Sequence, residues 1–284
     1  MKRPRFQARG PSPRTSAMTF VPLLVFLSVA PLAAQQNHAP ELTAKASESI
    51  DRGLKYLLEV QQDNGTFVHS PARGGGGPRY AVAITSLGLM AFMANGHFPG
   101  SGPYGGPLER AKDALLDYAK TKKDGYLGST MYEHGLATLA LSELWGMTRD
   151  AEDDDTIQQA LEAAVDVILR AQSPDGGGWN YQPGDQSSRD TSTTVMTFVA
   201  LASARQAGIM VPDITIKRVI KYLENAWVQE TGGFPYRPAG SNRSPSFACS
   251  AGGGYIAQLV GLRGTEMVDS TIRYLNSKGV AKVG

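Results

Sequence analysis

Cysteine is almost missing from this chain: Cys249 is the only one among 284 residues. No internal disulfide is possible, so the fold must rest on burial and hydrogen bonding, and the lone thiol reads as a small buried apolar group. Histidine is also scarce, with four residues, and none shares a metal-ligand spacing with Cys249. No metal and no cofactor are expected. The glycine run Gly74–Gly77 lacks the Lys-Ser/Thr of a phosphate loop and reads as a flexible connection. No apolar run is long enough to span a bilayer comfortably.

An excess of positive charge is missing too, once the N-terminus is set aside. Lys2, Arg3, Arg5, Arg9 and Arg14 precede the apolar stretch Phe20–Ala30 and the small-residue site Pro31-Leu32-Ala33-Ala34. That order is the pattern of an export signal cleaved near Ala34, preferred over an uncleaved anchor, with Met1 or Met18 as the start. Residues 35–284 hold 23 Lys+Arg against 26 Asp+Glu, so no basic stripe remains for nucleic acid. The expected organisation is a signal at 1–34, a flexible leader at 35–45 and one repeat domain at 46–284.

What the chain has in quantity is a repeated unit. Leu161, Val165, Ile168 and Leu169 recur at helical spacing up to Gln172; Pro174 and Gly176–Gly178 stop the helix, and Trp179 follows. A second helix starts at Asp190 as N-cap and runs to Gly208. Aligned on the turn glycine, the unit occurs at Gly65, Gly125, Gly177 and Gly232, with Phe67, Leu127, Trp179 and Phe234 two positions on and spacings of 60, 52 and 55. Glu266–Ser277 begins a fifth unit. A period of this size means helix pairs that cannot bury their apolar faces alone, with the glycine at positive φ and the aromatic in the seam. The acidic run Asp150–Asp155 reads as a helix cap and solvated linker.

Gln61-x-x-x-Gly65-x-Phe67, and the one-residue-longer Gln172 to Trp179, resemble the turn of the squalene cyclase and protein prenyltransferase repeat family. The resemblance covers about residues 46–278. It implies an all-α (α/α) toroid of about four and a half repeats, an incomplete barrel with inner helices around a central cavity. The family's cyclases use Asp-x-Asp-Asp, whereas the matching place here reads Ser187-Ser188-Arg189-Asp190-Thr191. Its prenyltransferases hold zinc with Asp, Cys and His, whereas Phe247 stands two residues before Cys249 and no histidine follows His134.

Tyr132, Glu133 and His134 begin one inner helix, and Asp190 and Ser192 begin the next. In a toroid these helix starts share a rim, so the five residues are the expected ligand-contacting set, with Glu133, His134 and Asp190 as the weak candidates for acid–base work. The alternative role for the acids is to favour helix N-termini, and for His134 to pack between helices. The expected function is an exported, non-catalytic or divergent binding scaffold for a lipid, glycan or protein; the alternative is a terpenoid cyclase, lyase or hydrolase on the same scaffold. An array of this length would expose apolar surface at its open end, and self-association is expected.

Overall fold

A computed structural model describes residues 42–67, 80–122, 124–185, 190–239 and 243–278. The expected signal at 1–34, residues 35–41 of the expected leader, Gly74–Gly77 and Ser187–Arg189 lie outside the described residues. Ala44–Gly284 forms one unit. It holds nine described helices: α1 (Ala44–Val60), α2 (Ala81–Ala94), α3 (Gly105–Lys120), α4 (Met131–Leu144), α5 (Ala151–Ala171), α6 (Thr191–Gln206), α7 (Asp213–Ala226), α8 (Phe247–Leu259) and α9 (Glu266–Ser277). Among the described residues extended structure is limited to two isolated bridges, Val228 with Gly233 and Pro235 with Pro245. The molecule is all-α, an (α/α) toroid built as an arc of helix pairs.

The two helix classes follow from composition. The odd-numbered helices are amphipathic: on α5, Ile157, Leu161, Ala164, Val165 and Ile168 are buried while Glu162, Asp166 and Arg170 are exposed or partly exposed. The even-numbered helices are rich in small residues, and the two central ones, α4 and α6, are buried nearly all round; on α4 only Tyr132 and Glu143 are exposed. They stand side by side in the order α2, α4, α6, α8, and α2, α4 and α8 each pack against the outer helix that follows. Small residues let the inner backbones approach: a Cβ at Gly135 would lie 3.2 Å from the Met196 backbone. The Ser142 hydroxyl donates to Ser203 Oγ at 2.9 Å, the same 61-residue offset as Gly135 and Met196, so α4 and α6 run parallel.

Every repeat is locked at its turn in the same way. Gly65, Gly125, Gly177 and Gly232 have φ of +85°, +76°, +77° and +82°. An added Cβ would lie 2.0, 2.7, 1.8 and 2.4 Å from the carbonyl oxygens of Arg110, Ala163, Arg218 and Ser270, on α3, α5, α7 and α9. Glycine is required twice over, by conformation and by contact with the next outer helix. The residues two positions on, Phe67, Leu127, Trp179 and Phe234, are fully buried. Gln61 Nε2 donates to the Gly65 and Pro107 carbonyls at 3.0 and 2.8 Å, and Gln172 Nε2 to those of Gly177 and Thr215 at 2.9 and 3.1 Å. Each amide therefore closes its own turn and ties it to the start of the next outer helix.

The acidic run is the helix cap expected of it, but not a solvated linker. Asp150 is an N-cap, accepting from the Glu152 N–H at 3.0 Å, and Ala151–Asp155 are already helical. Asp153 pairs with Lys112, whose ammonium also meets Glu109 at 2.5 Å and Asp113 at 3.2 Å on α3. Burial alone would lower the Lys112 pKa, but these carboxylates together raise it. The run is a helix start that clamps two outer helices, because a buried lysine needs its charge answered.

Candidate functional site

The starts of the inner helices share one rim. Thr130, Asp190 and Ser246 are equivalent N-caps, accepting from the backbone N–H of Glu133, Thr193 and Cys249 at 3.1, 2.9 and 3.2 Å. Asp190 is thus equivalent to Thr130 rather than to Glu133, and Ser192 is equivalent to Tyr132.

One position further into each inner helix a side chain receives the buried turn residue. The Phe67, Trp179 and Phe234 N–H groups donate to the hydroxyls of Thr85, Thr194 and Ser250 at 3.3, 3.0 and 2.9 Å. In the second repeat the Leu127 N–H donates to His134 Nδ1 at 2.9 Å. His134 Nε2 then donates to the Ala164 carbonyl on α5 at 3.0 Å, which fixes the neutral Nε2–H tautomer. The imidazole is fully buried, and burial brings its pKa down to about 4 despite both backbone bonds. His134 stands where the other repeats carry a hydroxyl, with both nitrogens engaged.

Glu133 is engaged as well. One carboxylate oxygen accepts from the Ser129 N–H at 2.7 Å and the Ser129 hydroxyl at 3.0 Å; the other accepts from the Ala83 N–H at 3.3 Å. That last bond caps the neighbouring inner helix. In the following repeats a turn carbonyl does this work: the Met131 N–H donates to Tyr181 O at 2.8 Å and the Thr191 N–H to Tyr236 O at 3.0 Å. Glu133 also borders a cavity of about 510 Å³ between α2, α3 and α4, with Thr85, Leu115, Tyr118 and Ser129 in its wall. The polar groups of that wall at Thr85, Ser129 and Glu133 are all spent on bonds within the protein.

The rim at α6 is different. Asp190 is 2 % exposed, and its Oδ1 accepts from the Thr193 N–H at 2.9 Å and the Ser192 hydroxyl at 2.5 Å. Oδ2 is buried and makes no hydrogen bond of good geometry among the described residues. The Tyr236 hydroxyl is the group that approaches this carboxylate, and burial, the bond to Tyr181 and the hydrogen-bonding and charge interaction with Asp190 all raise its pKa. Tyr181 and Tyr236 meet hydroxyl to hydroxyl at 2.6 Å, with side chains 39 % and 41 % exposed. Tyr132, 36 % exposed, adjoins the Met131 N–H that Tyr181 O receives. A tyrosine with a raised pKa stays protonated, so Tyr236 is a hydrogen-bond donor rather than a base.

The fold therefore leaves Tyr132, Asp190 and Ser192 at the starts of the neighbouring helices α4 and α6 and draws Glu133 and His134 into the framework. Tyr181 and Tyr236 complete the rim. Each lies two residues past its turn aromatic, Trp179-x-Tyr181 and Phe234-x-Tyr236, and that repetition is the signal by which sequence could have found them. Cys249, one turn into α8, is buried near Asp190, and burial raises its pKa. Among the described residues no group of three or more His, Cys, Asp and Glu side chains could hold a metal ion.

No protein-family model and no curated protein matches the chain. Among solved structures it is similar to a protein described as a novel α-amylase from Clostridium perfringens, with a TM-score of 0.56, 13 % sequence identity, and coverage of 82 % of this chain and 71 % of that one. At that identity the likeness is one of fold, and it extends over most of both chains.

Proposed function

We propose that this protein is an exported, non-catalytic binding scaffold that takes a glycan at the α4–α6 rim. One observation carries the reading: the buried carboxylate of Asp190 lies beside the exposed Tyr236, whose hydroxyl is already in contact with that of the exposed Tyr181. Tyrosine rings offer a flat apolar face for a sugar ring, and their hydroxyls offer bonds to its polar edge. Ser192 and Tyr132 extend the same rim. The α-amylase named above is a protein of glycan chemistry on a similar fold, which supports the choice of glycan over lipid without carrying it.

Binding is favoured over catalysis by the state of the acids. Glycoside hydrolysis takes two carboxylates flanking the bond. Glu133, the other buried acid of this rim, has both oxygens occupied by Ser129 and Ala83. Kinship with the squalene cyclase and prenyltransferase repeats belongs to the same reading, supported by the Gln61 and Gln172 amide ties. Export rests on the basic and apolar order of residues 1–34; no described helix is long and apolar enough to cross a membrane.

The test is a glycan array followed by calorimetry on the best binder, with Tyr181→Ala, Tyr236→Phe and Asp190→Asn beside the parent. Each variant should weaken binding at least about tenfold, about 1.4 kcal/mol. Parent and variants binding equally would remove the rim from the reading, and release of reducing ends by the parent would replace scaffold with enzyme.

A further inference from the structure

The repeat fixes which side of each inner helix faces which neighbour. Taking Thr85, His134, Thr194 and Ser250 as equivalent, the positions after them give Ser86, Gly135, Val195 and Ala251, which face the following inner helix. The positions two after them give Leu87, Leu136, Met196 and Gly252, which face the preceding one. The seams show the rule. A Cβ on Gly135 would lie 3.2 Å from the Met196 backbone, and one on Gly252 would lie 2.9 Å from the Val195 side chain. Both of these seams set a glycine against a larger residue.

The same positions are open at the two ends of the row. Leu136 is 5 % exposed, whereas its counterpart Leu87 on α2 is 50 % exposed. Met131 and Thr191 are 0 % and 1 % exposed, whereas their counterpart Phe247 on α8 is 50 % exposed. Ile84 is likewise exposed where its counterparts Glu133, Thr193 and Cys249 are buried, and Ala251 is exposed. Neither edge carries a charge along its stripe: Ile84, Leu87 and Ala91 on one, Phe247, Ala251 and Gln258 on the other. An apolar groove of about 520 Å³ between α1 and α2, walled by Leu54, Leu57, Ala91 and Ala94, continues the α2 edge.

The geometry points to a second copy of this chain as the occupant: the α2 edge of one copy docks on the α8 edge of another and continues the internal seam. The ends carry the two halves of the seam rule, the larger Leu87 and the small Ala251, so each edge fits the opposite edge and not itself. The contact is heterologous, and copies close a ring or extend a row.

Single-cysteine variants in a Cys249→Ser background decide this on the full chain as its host produces it. Leu87→Cys mixed with Ala251→Cys should form a cross-linked dimer under mild oxidation, while neither should form one alone. At about 50 μM the parent should sediment above monomer mass, Leu87→Arg as monomer, and Leu87→Met as the parent does. A circular dichroism melt shows that Leu87→Arg remains folded. A parent that stays monomeric at that concentration without the mixed cross-link overturns the proposal. So does cross-linking of Leu87→Cys with itself, which would be an edge paired with its own kind, or co-purification of a different chain that alone protects Leu87→Cys from alkylation.

Discussion

The second and third repeats build the same turn over connections of different length. From the buried turn residue to the side chain that receives its N–H is 7 residues in the second repeat, Leu127 to His134, and 15 in the third, Trp179 to Thr194. The short connection leaves no tyrosine to cap the preceding inner helix, so the Glu133 carboxylate does so, and an imidazole spans from the turn to α5. The long connection has backbone to spare: the Tyr181 and Tyr236 carbonyls cap their neighbours, and their side chains remain exposed beside Asp190. Ionisable groups of similar appearance thus do opposite work. In the second repeat they substitute for missing chain; in the third they are left for solvent or a ligand.

The turn glycines are the common element on which that difference is built, and they should be the most costly to alter. Gly177→Ala places a Cβ 1.8 Å from the Arg218 carbonyl at a φ of +77°. The expected loss is about 3–4 kcal/mol, combining conformational strain with overpacking against backbone that cannot yield. Gly125→Ala, with 2.7 Å to the Ala163 carbonyl, should cost less, and Gly146→Ala, with φ +80° and nothing within 4 Å, about 1 kcal/mol. Urea midpoints for the three variants check the order; equal losses would mean that φ alone matters.

Next comes His134. Its folded pKa of about 4 lies below the ordinary value of 6.5 because of burial. The unfolded chain therefore binds the proton more readily, and stability falls as pH drops from 6.5 towards 4, with no contribution from this group above that window. The loss approaches about 3 kcal/mol at the bottom of the window. His134→Thr restores the hydroxyl used elsewhere and should abolish this dependence while costing about 1–3 kcal/mol at pH 7.5, through the lost bond to the Ala164 carbonyl and the space the ring leaves. Melting curves of parent and variant at pH 7.5, 5.5 and 4.5 check it; parallel curves would return His134 to the list of accessible groups.

The uneven connection lengths also explain what could be read from sequence. Glycine spacing fixed the repeat register, and Glu266–Ser277 is a helix over the same span that its periodicity marks. Asp190 was legible as a cap because capping is local. The equivalence of His134 with Thr194 was not, since aligning them requires knowing that one repeat has eight fewer residues in its connection than the other. Tyr181 and Tyr236 were hidden for the same reason: their hydroxyls meet across 55 residues of chain, and only the packed rim brings them together. Lys112 gave no sign of burial, because its partners Glu109 and Asp113 are local but Asp153 comes from another outer helix.

Glu133→Gln should act on the framework alone. Glutamine keeps one acceptor for the Ser129 or Ala83 N–H but turns the other position into a donor facing a donor. A loss of about 1–2 kcal/mol is expected, with glycan affinity unchanged. A fall in affinity matching that of Asp190→Asn would erase the contrast between the two repeats.

The smallest effect on stability is expected at Asp190, and it separates the repeats most sharply. Asparagine is as good an N-cap as aspartate, so Asp190→Asn retains the bond from the Thr193 N–H and should change stability by no more than about 0.5 kcal/mol. It removes the charge beneath Tyr236, so the Tyr236 pKa should fall back towards its ordinary value, measurable in the ultraviolet titration of the tyrosines against a Tyr236→Phe control. Affinity at the rim should drop about tenfold at the same time. A scaffold carboxylate would give the reverse pattern, a stability loss with binding intact, and would place Asp190 with Glu133 and His134 in the framework. The exposed Tyr236 hydroxyl beside the carboxylate argues for the first pattern, because it brings the Asp190 charge to the surface, whereas the Glu133 oxygens are spent on Ser129 and Ala83.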